Sequence, residues 1–447
     1  MNATREMATL ALLVLLLGFV ERGNSADNTK VAAADPQSAK VAAKSPLSGL
    51  PSSPGAHLDK IKALGDNQWL CLGAPAPDPK WGKARGRAWG AHMAYAPDLN
   101  AAFFYGEGVH GYVMPDGHYM DDLWAYDVNA NRWICLYPGT DTKSVSLKMD
   151  ANGFEVDETG QPIPVAQMGH AFEMVTYDTD RKKFMFVPCA VGNFNATPIG
   201  PRRKDWGGFV GWPYTPQKCS PWMYNPAAGK FELFKTQGPF PGGHIEAVVA
   251  LYAPGVKKMF HWRGDVWLYD AQANAWTTFT PKGPKPPFGC DPSACMDSKR
   301  DRVYMGGGYY PAVAKGQNAF WCFDMKTNAW VDLQPKGAPC GGCNRYGPNH
   351  AVMNYDQAND AVVLIYHRLH DGGVNGDFIP GPEALGVYLY NTADNTWTEQ
   401  PLKMPKEIGQ GPSSFYSPEL NAHFVYIAGD SADNGVMWVY RYKQAKK

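Results

Sequence analysis

Several side chains have the types and spacing to do chemistry. His92, His170, His244 and His350 each stand near the start of an apolar run. Neutral imidazole is a common metal ligand and a general base. Two denser clusters follow, His261-Trp262-Arg263-Gly264-Asp265 and His367-Arg368-Leu369-His370-Asp371, and Arg345 lies upstream of the second. Guanidinium and imidazole side by side can hold a carboxylate or polarise a sugar. They can equally form ion pairs between packed elements. The stretch 190–220, AVGNFNATPIGPRRKDWGGFVGWPYTPQKCS, sets Arg202, Arg203 and Lys204 beside Trp206, Trp212 and Tyr214. Cations beside aromatic rings suit an acidic or hydroxyl-rich ligand. Its many Gly and Pro predict an irregular loop. Asn195-Ala196-Thr197 matches a glycosylation acceptor, relevant in a eukaryotic secretory route.

The nine cysteines are an odd number, so at least one thiol stays unpaired. Cys189 and Cys219 bracket the 190–220 stretch, and a disulfide between them would staple its base. Cys290, Cys295, Cys340 and Cys343 carry C-x4-C and C-x2-C spacings. Those spacings admit disulfides, a zinc site or free thiols. No His follows at finger spacing, and an oxidising compartment favours disulfides. Cys340-Gly341-Gly342-Cys343 lacks the helix start of a redox motif. Asn344, not His, follows it, which excludes haem attachment. Cys71 and Cys135 hold equivalent strand positions and read as small apolar groups.

These residues hang on a repeated unit. In DDLWAYDVNANRW (121–133) an apolar-aromatic strand runs into Asp127, a polar turn follows, and Trp133 opens the next strand. The same unit recurs at 221–231, 265–276, 319–330 and 386–397. From the turn-opening Asp or Asn to the aromatic is six residues each time, as in Asp270 to Trp276 and Asn391 to Trp397. A fixed offset across an Asn/Asp/Gly turn is a hairpin signal, and its recurrence signals a repeat architecture. Ahead of each unit lies another pair of strands, at 90–105, 170–188, 244–262, 293–305, 350–366 and 413–427. Each repeat therefore holds strands a, b, c and d. The sixth ends at its strand c, MWVYRY (437–442). The missing strand d stands at the other end: NQWLCLG (67–73) matches NRWICLYPG (131–139). An N-terminal strand completing the last blade would close a ring and remove its edges.

The strand-c/strand-d motif, the tyrosine-aspartate turns and the glycines at 306–308 resemble Kelch repeats, over roughly residues 65–443. The resemblance implies an all-β, six-bladed propeller, and a role as an enzyme or a binding scaffold. Members include copper-radical oxidases and sugar mutarotases. An oxidase site needs two Tyr, two His and a cross-linking Cys at the axis, and no such set transfers here. A mutarotase-like site needs only an acid/base pair and Arg clamps at the channel mouth.

In a propeller the four histidines would line the channel. They precede Tyr95, Tyr177, Tyr252 and Tyr355 by three, seven, eight and five residues. A five-residue spread is roughly 16 Å at about 3.3 Å per residue, too far for one ion. His170, His244 and His350 remain closer in height. The other reading of these side chains is satisfaction by neighbouring backbone groups, so no metal and no cofactor is expected.

Loop lengths select a face. The a–b turns (APDLNA, DTDRKK, APGVKK, DSKRDR, DQANDA, SPELNA) and the c–d turns are short. The connections sharing the opposite face carry the extra residues, at 106–121, 139–166, 190–220, 281–292, 335–349 and 368–385. Loops of that length are usually functional or disordered. Ten of the fifteen tryptophans belong to strands c and d. The other five, Trp81, Trp89, Trp206, Trp212 and Trp262, map to the elaborated side. They suit ligand platforms or caps for the loops' own small cores.

Lys+Arg and Asp+Glu balance at 42 each, and without a basic stripe nucleic acid is excluded as a partner. Residues 1–26 read as a secretory signal peptide whose apolar run is too short for a membrane span. Residues 27–57, rich in Ala, Lys, Pro and Ser, read as a flexible tether, and 58–447 as the propeller. The expectation is an exported binding module taking a glycan or protein partner on its elaborated face. The alternative is a carbohydrate-active enzyme with its site at the channel mouth.

Overall fold

The computed structural model describes residues 44–87, 91–106, 113–165, 167, 173–188, 203, 205, 207, 220–241, 249–287, 292–306, 320–337, 351–366, 386–401, 412–427 and 435–444. A short helix, α1 (His57–Ala63), precedes β1 (Gln68–Gly73) and β2 (Ala91–His92). Blade 1 is β3 (Ala94–Ala96), β4 (Ala101–Tyr105), β5 (Leu123–Asp127) and β6 (Arg132–Tyr137), followed by a small hairpin, β7 (Lys148–Met149) and β8 (Glu155–Val156). Blade 2 is β9 (Val175–Asp178), β10 (Lys183–Phe186), β11 (Trp222–Asn225) and β12 (Lys230–Leu233). Blade 3 is β13 (Val249–Ala253), β14 (Lys258–Trp262), β15 (Val266–Asp270) and β16 (Ala275–Thr278). Blade 4 is β17 (Ser293–Asp297), β18 (Arg302–Gly306), β19 (Phe320–Asp324) and β20 (Ala329–Asp332). Blade 5 is β21 (Ala351–Asp356), β22 (Ala361–Tyr366), β23 (Gly386–Asn391) and β24 (Thr396–Glu399). Blade 6 takes β25 (Ser413–Ser417), β26 (Ala422–Ile427) and β27 (Val436–Arg441) from the C-terminal end and β1 from the N-terminal end.

The expected closure is present. β1 runs antiparallel to β27, with Trp69 opposite Tyr440 and Cys71 opposite Trp438. β2 adds to the inner side of the same sheet, parallel to β25. The Arg441 guanidinium, 4% exposed, locks the junction. It donates to the carbonyls of Leu64 (2.6 Å) and Lys62 (3.1 Å) before β1, and to those of Leu420 (2.8 Å) and Asn421 (3.2 Å) in blade 6. Part of the stretch expected as tether is held too. Gly55 N–H donates to Asn129 O (2.8 Å), Ser52 Oγ to Asp127 Oδ1 (2.9 Å), and Leu47 is 2% exposed.

The repeat has a physical cause. Asp127 Oδ1 accepts from the N–H groups of Asn129 (3.1 Å) and Ala130 (3.3 Å), and Asp270 and Asp324 cap their turns the same way. Asn131, Asn274, Asn328 and Asn395 then take left-handed φ of 47°, 48°, 54° and 54°, which a short polar side chain tolerates. Tyr126, Tyr269 and Tyr390 hydroxyls donate to the Oδ1 of the Asn five residues on, at 2.8–2.9 Å.

The following tryptophan reaches the preceding blade. Trp133, Trp330 and Trp397 N–H groups donate to the carbonyls of Ala76 (2.9 Å), Lys282 (2.8 Å) and Lys336 (2.8 Å). The N–H groups of those three residues donate back to Asn131, Asn328 and Asn395. Each exit connection thus covers the outer edge strand of the next blade. Gly283 and Gly337 follow the clasping lysines at φ +84° and +62°. A Cβ there would meet Trp330 O at 2.4 Å and Trp397 O at 2.5 Å.

The apolar core lies between blades. Trp133, Trp276, Trp330 and Trp397 are all buried, as framework residues should be. Trp262 departs from its expected place on the elaborated rim. It is 1% exposed, in a cluster with Phe260, Met305 and Phe323 of blades 3 and 4. As the last residue of β14 it still falls within the inter-blade layer.

Candidate functional site

Two places have the geometry of a site. The first is the face carrying the long connections. Trp81, in the connection from β1 to β2, is 37% exposed. Its N–H and that of Lys80 are tied to Asp78 Oδ1 (3.0 and 2.9 Å), which fixes the turn. The ring stands edge-on to His118 at 5.7 Å, and Lys80 Nζ lies 4.5 Å from its centroid. His118 belongs to the b–c connection of blade 1, so two connections meet at this aromatic. Behind them Arg87 is 1% exposed. It pairs with Asp122 Oδ1 at 2.8 Å and stacks 4.6 Å over Phe104. Asp121 accepts from Thr140 N–H and Oγ1, both at 2.7 Å. These buried groups pin the connections to blade 1. Arg87, Asp121 and Asp122 carried no distinguishing signal, because their partners lie 19 to 35 residues away.

Arg203 was expected to face a ligand, and the structure corrects this. Its side chain is 1% exposed and bonds Glu155 through Nε–Oε1 (3.0 Å) and Nη2–Oε2 (3.2 Å). Nη2 also donates to Val165 O. This pairing latches Arg203 onto the β7–β8 hairpin. Arg263 is likewise turned inward, 8% exposed, with Nη1 donating to Pro241 O at 3.3 Å. Cys295, a disulfide candidate, is a free thiol 2% exposed within β17. It packs among Tyr304, Cys322 and Met353, and burial pushes its pKa well up. A mid-strand side chain in the inter-blade layer is not offered to a loop cysteine. Trp89, His170, Trp206, Trp212, His244, Arg345, His350, His367 and Arg368 lie outside the described residues, as do Cys189, Cys219, Cys290, Cys340 and Cys343.

The second place is the central channel, where strands a leave a cavity of about 210 Å³. Tyr95, Tyr177, Tyr252, Met296, Tyr355 and Tyr416 supply one residue per blade at one level, and Ala94, Thr176, Leu251, Cys295, Asn354 and Phe415 supply the level before it. The tyrosine hydroxyls fasten neighbouring blades. Tyr177 donates to Asp98 Oδ1 (2.8 Å) and Tyr252 to Asp180. Tyr355 accepts from Arg300 Nη1 (3.2 Å) and Tyr416 from Ala358 N–H (3.2 Å). Burial raises the pKa of Tyr177, Tyr252, Tyr355 and Tyr416, so their hydroxyls stay protonated. The exposed turn residues Thr179, Ser298, Gln357 and Pro418 set the cavity's opening toward the short-turn face.

At the inner end His92 Nδ1 lies 3.6 Å from Glu173 Oε2, and neither atom has a hydrogen-bond partner. Burial holds the His92 pKa down to about 4. Burial also pushes Glu173 well above the carboxylate range, against a hydrogen bond with the backbone of Ala294. Among the described residues no group of three His, Cys, Asp or Glu side chains is placed to hold a metal.

No protein-family model matches the chain. Several solved structures share similarity in fold. An auxiliary nutrient binding protein from Bacteroides ovatus ATCC 8483 aligns over 84% of this chain and 77% of its own, at 10% identity and a TM-score of 0.44. One from Bacteroides thetaiotaomicron VPI-5482 aligns over the same shares, at 10% identity and 0.45. TolB from Acinetobacter baumannii aligns over 74% of this chain and 62% of its own, at 9% identity and 0.35. At these values the matches bear on neither site nor function.

Proposed function

We propose that the protein is an exported binding module that takes a glycan or protein partner on the face carrying the long connections. The observation that carries this reading is the buried, two-bond Arg203–Glu155 latch. It ties Arg203 to the hairpin of another long connection, and a group held in place before binding loses less entropy on binding. Trp81, with Lys80 and His118 against it, presents an aromatic surface on the same side. An exposed ring beside a lysine cation suits hydroxyl-rich or acidic partners.

Export rests on the N-terminal pattern of residues 1–26. Among the described residues no helix is long and apolar enough to cross a membrane. The enzyme alternative called for Arg clamps at the channel mouth; of Arg263, Arg345 and Arg368 only Arg263 lies among the described residues, with Nη1 donating to Pro241 O.

A glycan array probed with the chain lacking residues 1–26, run beside affinity capture from the secretion medium or periplasm, tests the proposal. Saturable retention of a glycan class or of one protein supports it. No retention in either format overturns it.

A further inference from the structure

We infer that the central channel holds a second binding site, for one uncharged, hydroxyl-bearing molecule of monosaccharide size, separate from the loop face. Size is the first argument. A volume of about 210 Å³ is room for about seven waters at ~30 Å³ each. That is below the ~300–1,000 Å³ of pockets for larger ligands, so the cavity itself suits a single sugar ring.

Charge is the second argument. No Lys, Arg, Asp or Glu is among the described residues lining the cavity. An ionised ligand would lose its hydration with no counter-charge to replace it, at a cost of several kcal/mol. His92, the one imidazole among the described lining residues, is neutral near pH 7 because burial holds its pKa down to about 4.

Polar groups are the third argument. Aromatic rings make most of one level of the wall, and their hydroxyls are already used between blades. They offer ring surface, on which the C–H face of a sugar packs. Thr176 Oγ1 accepts from Tyr252 N–H at 2.8 Å, which leaves its hydrogen to donate. Asn354 Nδ2 is spent on Ser414 Oγ, which leaves Oδ1 to accept. At the inner end His92 Nδ1 and Glu173 Oε2 are buried, unpartnered and 3.6 Å apart. The Glu173 side chain is only 3% exposed. Buried polar atoms of this kind are paired in nearly all proteins. His92 lines the cavity, so a ligand hydroxyl can pair with its imidazole, whereas Glu173 lies outside the lining residues.

The test titrates the full chain with D-glucose, D-galactose, D-mannose, L-arabinose and myo-inositol, with gluconate and glucosamine as charged counterparts, by calorimetry and ligand-observed NMR. At least one neutral compound should bind saturably and at least about tenfold tighter than its charged counterpart. His92→Leu and Thr176→Val should each weaken it by about tenfold or more. Trp81→Ala, in the exposed connection from β1 to β2, should leave it unchanged, which separates this site from the partner-binding face. A crystal structure of the unsubstituted protein with the sugar locates it even if a variant fails to fold. Absence of saturable binding, equal binding of gluconate or glucosamine, or a sugar seated outside the channel would each overturn the inference.

Discussion

Arg203 and Glu155 stand 48 residues apart in sequence and meet as a buried pair, Nε 3.0 Å and Nη2 3.2 Å from the two carboxylate oxygens. Removing one partner leaves a buried charge exposed to no water, at about 3–5 kcal/mol. Arg203→Met should therefore destabilise by that order and open the 190–220 insertion to protease. Arg203→Met combined with Glu155→Leu should cost less than the sum of the single changes, because neither charge is then stranded. Urea unfolding and limited proteolysis of the three variants check this. Additive losses would remove the latch from the account.

Ring closure gives a second prediction. Arg441 donates to four carbonyls on both sides of the seam between β1 and blade 6. Hydrogen bonds from a charged donor are worth about 1.5–3 kcal/mol each and do not simply add. Arg441→Met should lower stability by about 3 kcal/mol or more. Hydrogen exchange should show β1 opening before any other strand d.

Blade-to-blade clasps give a third. Gly337→Ala would drive a Cβ to 2.5 Å from Trp397 O at a φ of +62°. Gly73, also at positive φ, has nothing within 4 Å of a Cβ and serves as control. Gly337→Ala should cost about 2 kcal/mol more than Gly73→Ala by thermal unfolding.

Acid stability follows from His261, fully buried in β14 against Trp276 at 5.2 Å. Burial first, and Arg263 second, hold its pKa down to about 3, against an ordinary 6.5. The unfolded chain therefore binds a proton that the folded chain refuses between those values. Stability from this group is complete above pH 6.5 and falls as pH drops toward 3. At pH 4.5 the loss is about 2–3 kcal/mol. His261→Phe should keep the ring contact and flatten this part of the curve. His92, lowered to about 4, acts in the same direction, whereas raised Glu173 costs stability as pH climbs above its ordinary 4.5. Unfolding midpoints of both proteins from pH 4 to pH 8 measure the difference.

Much of the fold was legible because its cause is local. The six-residue step from Asp127 to Trp133 is written by a capped turn and one left-handed Asn, and both recur in sequence. The closing strand was legible because NQWLCLG repeats NRWICLYPG. Sites were less so. Arg203 looked like a ligand contact because its partner, Glu155, lies in another insertion and carries no spacing signal. His92 and Glu173 belong to different blades and meet only through the curvature of the ring. Trp262 ends a strand, and only its neighbours in blade 4 make it core.

Partner binding on the elaborated face is tested most directly by retention of the captured glycan or protein on Trp81→Ala and on the Trp206→Ala/Trp212→Ala pair. Glu419→Lys, an exposed change in a short turn of the opposite face, is the control. The account predicts at least about tenfold weaker retention for the tryptophan variants, with unfolding midpoints unchanged, and full retention for Glu419→Lys. Undiminished retention by all the tryptophan variants, or loss confined to Glu419→Lys, would contradict it.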